Sequence, residues 1–195
     1  MMYKNYLFDF YGTLADIRTN EDSPVLWQKL AAFYASFGAV YKPAELRRAF
    51  RECEKEEKTA MTALHQDAAM YHPEPDLLKV FERLFVDKGT FPSDDLAMAA
   101  ACFFRIQSRS YLRLYPDTLP LLKTLKERRA RVYLLSNAQA SFTGPEIRLL
   151  GLEDYFDEIY LSSDKGCKKP DSAFFMLPLL DHDLKAEETL MVGND

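Results

Sequence analysis

Asp9 is the first residue in this sequence whose type and position suggest chemistry. It ends the apolar run Tyr6-Leu7-Phe8, and Gly12 and Thr13 follow it closely. Open α/β sheets bind ligands at the carboxyl ends of their strands, where a rigid strand can hold a carboxylate in a fixed position. Gly12 permits a sharp turn, and the Thr13 hydroxyl can donate to a bound anion. Such a carboxylate can be a nucleophile, a metal ligand or both, although an aspartate that only caps a turn shows the same local pattern.

Three later apolar segments also end in polar residues, namely Ser136-Asn137, Ser162-Ser163-Asp164 and Asn194-Asp195. Because parallel strands share one carboxyl edge, we expect these side chains to converge with Asp9 on a single crevice. Lys169 is followed by Pro170 just before a predicted helix, where its ammonium can sit close to an anion. A nucleophilic aspartate, hydroxyl and amide donors, a lysine and a terminal acidic pair together meet the needs of phosphoryl transfer through an aspartyl intermediate.

The elements that must position these residues are short apolar strands that alternate with helical patterns. After the strand that ends at Asp9, strands are predicted at Arg131–Ser136, Glu158–Ser162 and Thr189–Gly193. Parallel strands need long crossover connections, which are usually helices. The pattern therefore predicts an α/β fold with a doubly wound parallel sheet.

A long helical block interrupts this alternation. Helical periodicity and helix-boundary residues extend from Ser23 to Tyr111 without a strand pattern. We expect residues 17–111 to form an inserted all-helical cap domain, and residues 1–16 and 112–195 to form the core. The last predicted strand is followed only by Asn194 and Asp195, so no helix would cover it. This ending suggests a truncated chain.

Composition and charge exclude several classes of function. The formal net charge is -5 and no dense basic stripe occurs, which argues against nucleic-acid binding. No apolar stretch is long enough to span a bilayer, and the first strand begins too early to leave room for a signal peptide. The 3 cysteines form no C-x-x-C pair, as is usual in a reducing compartment. We expect a cytoplasmic monomer or homodimer that contacts neither membrane nor nucleic acid.

These motifs together resemble the haloacid dehalogenase (HAD) superfamily, in its branch with a helical cap after the first motif. The four similar segments are Asp9-Phe10-Tyr11-Gly12-Thr13-Leu14, Leu134-Leu135-Ser136-Asn137, Lys169-Pro170-Asp171 and Met191-Val192-Gly193-Asn194-Asp195. Their order and spacing cover the whole chain. The resemblance implies a hydrolase with a Rossmann-like core.

By this resemblance, Asp9 attacks the substrate. Lys169 contributes to catalysis and also binds the substrate phosphate, together with Thr13, Ser136 and Asn137. The implied cofactor is Mg²⁺, which would be held by the Asp9 carboxylate, the backbone carbonyl of Tyr11 and the fourth motif, Asn194 and Asp195. The implied substrate is a small molecule that carries a phosphoryl group.

Tyr11 departs from the phosphatases of this superfamily, which usually carry a second aspartate at this position as general acid and base. A tyrosine can donate a proton but is a poor base at neutral pH, since its ordinary pKa is near 10. The leading interpretation is a Mg²⁺-dependent phosphatase with Tyr11 as the acid. The D-x-Y-G-T form instead resembles metal-free 2-haloacid dehalogenases, in which an arginine such as Arg47, Arg48 or Arg51 would reach the substrate from the cap. A third possibility is a catalytically weak small-molecule-binding protein.

Overall fold

The computed structural model describes residues 3–65 and 71–194, which form six strands, eight helices and two short 3-10 turns. The strands are β1 (Asn5–Phe8), β2 (Ala15–Thr19), β3 (Arg109–Leu114), β4 (Arg131–Ser136), β5 (Glu158–Leu161) and β6 (Thr189–Val192). The helices are α1 (Pro24–Ser36), α2 (Pro43–Ala63), α3 (Leu77–Val86), α4 (Asp94–Ser108), α5 (Thr118–Glu127), α6 (Ala140–Leu149), α7 (Ser162–Lys165) and α8 (Ser172–Asp181).

Four of the strands form one parallel sheet in the order β5-β4-β1-β6. Phe8 at the end of β1 is paired with Leu134 of β4 and Val192 of β6, so the three strands are in register close to their carboxyl ends. The buried side chain of Phe8 belongs to a cluster with α5 and α6, whereas Leu7 belongs to a cluster with α8. Helices therefore cover both faces of the sheet, and the predicted α/β fold is confirmed.

Helices α1 to α4 have a hydrophobic core that is largely their own. Trp27, Phe50 and Phe104 come from three of these helices and are buried, with ring centroids 5.4–5.6 Å apart. Phe142 of α6 joins the same cluster, so the helical unit and the sheet unit share packed surface. Within the described ranges, no helix has both the length and the apolar character required to cross a membrane.

The prediction that residues 23–111 are helical throughout is wrong at its end. Arg109–Leu114 is a strand, and it pairs in antiparallel fashion with β2, residues Ala15–Thr19. From Tyr111 to Leu114 its side chains alternate between exposed and partly buried positions, a period-2 pattern that a helical interpretation overlooks. The predicted domain boundaries, 16/17 and 111/112, fall inside this ribbon, so the division into core and cap remains a proposal.

Two predicted helix starts also differ in detail. Helix α1 begins at Pro24 as expected, but the Ser23 side chain makes no capping hydrogen bond. Helix α6 begins at Ala140, five residues before the predicted start at Pro145. Proline has no N–H to donate to the carbonyl of Ser141, and the Cys102 Sγ lies 3.9 Å from that carbonyl oxygen instead.

Candidate active site

Asp9 lies at the carboxyl end of β1 and is only 5% exposed. Its backbone N–H donates to the Val192 carbonyl at 2.9 Å, which continues the pairing of β1 with β6. Its Oδ1 accepts a hydrogen bond from Ser136 Oγ at 2.7 Å and lies 3.2 Å from Lys169 Nζ. The other oxygen, Oδ2, accepts no hydrogen bond from the described residues. The described side chains thus hold one carboxylate oxygen and donate no hydrogen bond to the other.

The predicted convergence of Asp9, Ser136 and Lys169 is present in the structure. The Lys169 side chain is 6% exposed, so the ion pair lies in a poorly solvated environment. Charges at such a site are stable only when opposite charges and hydrogen bonds compensate for the lost water. The pair with Asp9 gives Lys169 the opposite charge and places its ammonium beside the candidate nucleophile.

Asn137 holds the Lys169 backbone from both sides. The Lys169 N–H donates to Asn137 Oδ1 at 2.8 Å, and Asn137 Nδ2 donates to the Lys169 carbonyl at 3.0 Å. The structure therefore gives this side chain a positioning contact between the second and third motifs. Direct binding of phosphate by the same amide remains a prediction.

The first and fourth motifs touch each other around Gly12. This glycine has φ +80°, and a Cβ there would lie 2.4 Å from Asn194 Nδ2, so a larger residue would collide with the Asn194 side chain. Thr13 Oγ1 is 3.5 Å from Asn194 Oδ1. Gly193 packs against Asp9 in the same way, because a Cβ on it would lie 3.3 Å from Asp9 Cβ. Asp195, the other predicted ligand, lies outside the described residues.

The oxygen atoms near this junction suit Mg²⁺ in their chemistry. Asp9 Oδ2 and the Tyr11 carbonyl oxygen accept no hydrogen bond from the described residues, and the Asn194 amide lies against the Gly12 backbone. Among those residues there is no group of three or more His, Cys, Asp or Glu side chains arranged for a metal. Mg²⁺ is often bound by one or two carboxylates and keeps several waters. The donor set fits a magnesium site of this kind.

The Tyr11 hydroxyl is not one of the described groups that hydrogen-bond or pair with Asp9. It lies in a separate cluster, where it donates to Glu146 Oε2, lies 2.9 Å from Thr143 Oγ1 and accepts from Arg105 Nη2 at 3.0 Å. Burial raises the pKa of Tyr11 well above its ordinary value, and the nearby Glu146 carboxylate adds to this effect. The expected acid position is thus occupied by a neutral phenol whose proton is directed toward Glu146.

Sequence reasoning missed the residues that surround Tyr11. Glu146 is 3% exposed and accepts hydrogen bonds from Arg105 and Arg109, both at 2.8 Å. A charged residue on the buried face of α6 was the available signal, since such residues are rarely buried without a partner. The sequence did not identify the partners of Glu146, because Arg105 lies on α4 and Arg109 on β3, both distant in sequence.

A second missed feature joins the chain before α3 to the loop that carries Lys169. The Lys168 N–H donates to the His72 carbonyl at 3.0 Å, and the Glu74 N–H donates to the Gly166 carbonyl at 3.2 Å. Glu74 also forms an ion pair with Lys168 at 2.8 Å and accepts from Gln139 Nε2 at 2.8 Å. This segment, residues 71–77, therefore fastens the helical unit to the third motif.

The three candidate arginines of α2 are engaged locally. Arg47 and Arg51 contact Asp22 at 2.6 and 3.3 Å, and Arg48 lies 3.9 Å from Glu52. All five side chains are substantially exposed, so these pairs contribute little to stability. None of the three contacts Asp9 or Lys169, so a role in binding a substrate carboxylate stays a prediction.

Comparison with known proteins supports the resemblance. The chain is 33% identical over 104 residues to a ribulose-1,5-bisphosphate 5-phosphatase of Halopiger xanaduensis, a match that covers 53% of this chain and 43% of that protein. It is 27% identical over 114 residues to a glyceraldehyde 3-phosphate phosphatase of Methanopyrus kandleri, with coverage of 58% and 49%. The chain spans about half the length of the curated relatives it matches.

Solved structures share the fold along the whole chain. An L-2-haloacid dehalogenase superimposes with a TM-score of 0.54 at 18% identity, covering 100% of this chain and 79% of that one. A HAD family enzyme from Bacteroides thetaiotaomicron gives 0.53 at 22% identity, with coverage of 98% and 84%. The family description "haloacid dehalogenase-like hydrolase" matches residues 3–195. The chain belongs to the haloacid dehalogenase-like hydrolase family.

Proposed function

We propose that the protein is a Mg²⁺-dependent phosphatase that acts on a small phosphorylated metabolite in the cytoplasm. The observation that carries this proposal is the asymmetry of Asp9: Oδ1 is fixed by Ser136 and Lys169, whereas Oδ2 accepts no hydrogen bond from the described residues. A carboxylate held at one oxygen presents the other in a defined direction, as nucleophilic attack on phosphorus requires. The relatives named as phosphatases support the same reaction class.

In the proposed reaction Asp9 Oδ2 attacks the phosphorus of the substrate, the bond from phosphorus to the leaving oxygen breaks, and an aspartyl phosphate forms, which water then hydrolyses to phosphate and free Asp9. Lys169 and Ser136 then offset the negative charge that gathers around the transferring group. Preorganised donors of this kind act strongly in a poorly solvated site, and the loss of one typically costs about 10²–10³-fold in turnover. Asn137 keeps Lys169 in place during this step through its two backbone contacts.

The residues that would hold Mg²⁺ are Asp9, Tyr11 through its backbone carbonyl, Asn194 and Asp195. When bound there, the ion would neutralise phosphoryl oxygens and orient the group for attack. Thr13 lies beside Asn194, and its hydroxyl would donate a hydrogen bond to the phosphoryl oxygens. The cysteines of the chain are free thiols, in keeping with the proposed reducing compartment.

A metal-free 2-haloacid dehalogenase is the second candidate. It is favoured by the position of the Tyr11 hydroxyl, which is bonded to Glu146 rather than to the groups at Asp9. A halide leaves without a proton, so a missing acid would not hinder that reaction. In this case Asp9 would attack carbon and form an ester intermediate.

One pair of assays separates the candidates. Phosphate release from 4-nitrophenyl phosphate is measured with Mg²⁺ and with EDTA, beside chloride release from 2-chloropropionate. We expect phosphate release that requires Mg²⁺ and is lost in Asp9→Asn, while Asn20→Ala, a change in an exposed loop, leaves it intact. Chloride release that persists in EDTA would establish the dehalogenase instead. The absence of both activities in a folded protein would favour the third possibility, a binding protein.

A further inference from the structure

The cluster around Glu146 joins four parts of the fold. Tyr11 comes from the loop after β1, Arg105 from α4, Arg109 from β3 and Glu146 from α6. Arg105 donates to both carboxylate oxygens, at 2.8 and 3.3 Å, and Arg109 donates to Oε1 at 2.8 Å. Both arginine side chains are mostly buried, with 11% and 19% exposure. The cluster is therefore a mostly buried junction between four elements of the fold and differs from a solvated surface ion pair.

The hydrogen-bonding capacity of the Tyr11 hydroxyl is taken up by this junction. A phenol has one proton, and here that proton is donated to Glu146, while the oxygen accepts from Arg105 and lies beside Thr143. Release of the proton toward a substrate would leave a buried phenolate next to a carboxylate.

The ring of Tyr11 is held as firmly as its hydroxyl. It packs against Phe10 with ring centroids 4.7 Å apart, and the Arg105 guanidinium lies 5.4 Å from its centroid. Tyr11 is two residues from Asp9 and its own carbonyl is a proposed metal ligand. A fixed side chain therefore fixes the backbone that carries the reactive carboxylate.

From this geometry we infer that Tyr11 is a positioning residue, and that the substrates are phosphoryl compounds whose leaving group departs as a stable anion, such as acyl phosphates. Phosphate esters of ordinary alcohols, which need a proton on the departing oxygen, would be poor substrates. The inference rests on the proposed phosphatase function and specifies its substrate class. Ser136 donates a hydrogen bond to Asp9 Oδ1 and Lys169 forms an ion pair with the same oxygen, whereas the Tyr11 hydroxyl is bonded to Glu146.

The two steps balance without an acid from Tyr11. Asp9 Oδ2 forms a bond to phosphorus, and the bond from phosphorus to the leaving oxygen breaks, with its electron pair leaving on a carboxylate anion. Water then attacks the phosphorus of the aspartyl phosphate, the bond from phosphorus to Asp9 breaks, and the Asp9 carboxylate is regenerated. The proton that the water loses is taken up by a phosphate oxygen, so dihydrogen phosphate is released.

The test is a series of substrates that differ in the pKa of the leaving group: acetyl phosphate, 4-nitrophenyl phosphate, phenyl phosphate and glycerol phosphate. We measure kcat and KM with Mg²⁺ for the wild type, for Tyr11→Phe and for Tyr34→Phe. Tyr34 is the matched control, because it is fully buried and its hydroxyl donates to the Phe81 carbonyl at 2.9 Å, within the helical unit. Thermal unfolding reports the folding of each variant.

For the wild type we expect kcat/KM to fall steeply as the leaving-group pKa rises, with glycerol phosphate at least about 10²-fold below 4-nitrophenyl phosphate, the factor that a general acid would otherwise supply. Tyr11→Phe should lower kcat by the same factor for every substrate and leave its pH profile unchanged in shape. Tyr34→Phe should lower thermal stability without this loss of kcat.

Two outcomes would overturn the inference in distinguishable ways. Similar kcat/KM for glycerol and 4-nitrophenyl phosphates, with a loss of about 10²–10⁴-fold in Tyr11→Phe confined to glycerol phosphate, would show that Tyr11 is the acid. That result would leave the phosphatase function standing. Hydrolysis of none of the four substrates by the folded wild type would instead remove the proposed function and, with it, this inference.

Discussion

Replacement of Asn137 with alanine removes the amide that holds Lys169 on both sides. Two hydrogen bonds are lost, at 2.8 and 3.0 Å, and each contributes about 0.5–1.5 kcal/mol to stability. Because Asn137 is only partly buried, water can reach part of the exposed backbone, and we expect a total loss of about 1–3 kcal/mol in the free energy of unfolding. For a domain of this size each kcal/mol lowers Tm by about 2–4 °C.

The effect of Asn137→Ala on activity should be larger than its effect on stability. Once released, Lys169 no longer lies at a fixed 3.2 Å from Asp9, and a displacement of about 1 Å in a catalytic group can cost roughly 10²-fold in rate. We therefore expect kcat to fall by roughly 10²-fold while KM changes little.

Steady-state kinetics with 4-nitrophenyl phosphate and a urea unfolding curve measure the two effects on the same preparation. Asn20→Ala is the control, since Asn20 is exposed and its side chain accepts only from the N–H of Asp22, at 3.1 Å. A large rise in KM with unchanged kcat and unchanged stability would refute the reasoning. That result would mean that Asn137 binds the phosphate directly and that Lys169 holds its position without it.

Three further predictions address the nucleophile, the connection between the helical unit and the third motif, and the buried phenol. Asp9→Asn should reduce turnover by roughly 10³–10⁶-fold and keep the circular dichroism of the wild type; retained turnover would exclude Asp9 as the nucleophile. Glu74→Gln removes the charge that pairs with Lys168, so amide hydrogen exchange in the Lys168 region, measured by mass spectrometry, should become faster; unchanged exchange would mean that the backbone bonds suffice. Burial raises the pKa of Tyr11 in the folded protein, so the stability that its hydroxyl provides is complete below about pH 10, the ordinary pKa of tyrosine, and is lost as pH rises beyond it. The difference in the free energy of unfolding between wild type and Tyr11→Phe should therefore shrink between pH 9 and pH 11. A difference that stays constant would contradict the assigned environment of Tyr11.

Local sequence patterns were sufficient for the four parallel strands and for the convergence of Asp9, Ser136 and Lys169. Apolar runs that end in polar residues predict strands, and parallel strands necessarily bring their carboxyl ends to one edge. For this reason Asp9, Ser136 and Lys169 were identified correctly as neighbours, although they are far apart in sequence. Most helix boundaries also followed from local signals, such as Ser93, whose hydroxyl caps α4 as predicted.

Only the tertiary structure decided what the side chains around these strands do. Tyr11 and Glu146 are separated by 135 positions, and nothing near either residue in the sequence indicates the other. Asn137 likewise binds Lys169 across 32 positions, because two loops meet at the same edge of the sheet. The direction of a side chain depends on the distant groups that tertiary packing brings within hydrogen-bonding distance. A motif therefore predicts where its residues lie, whereas the tertiary structure determines their hydrogen-bonding partners.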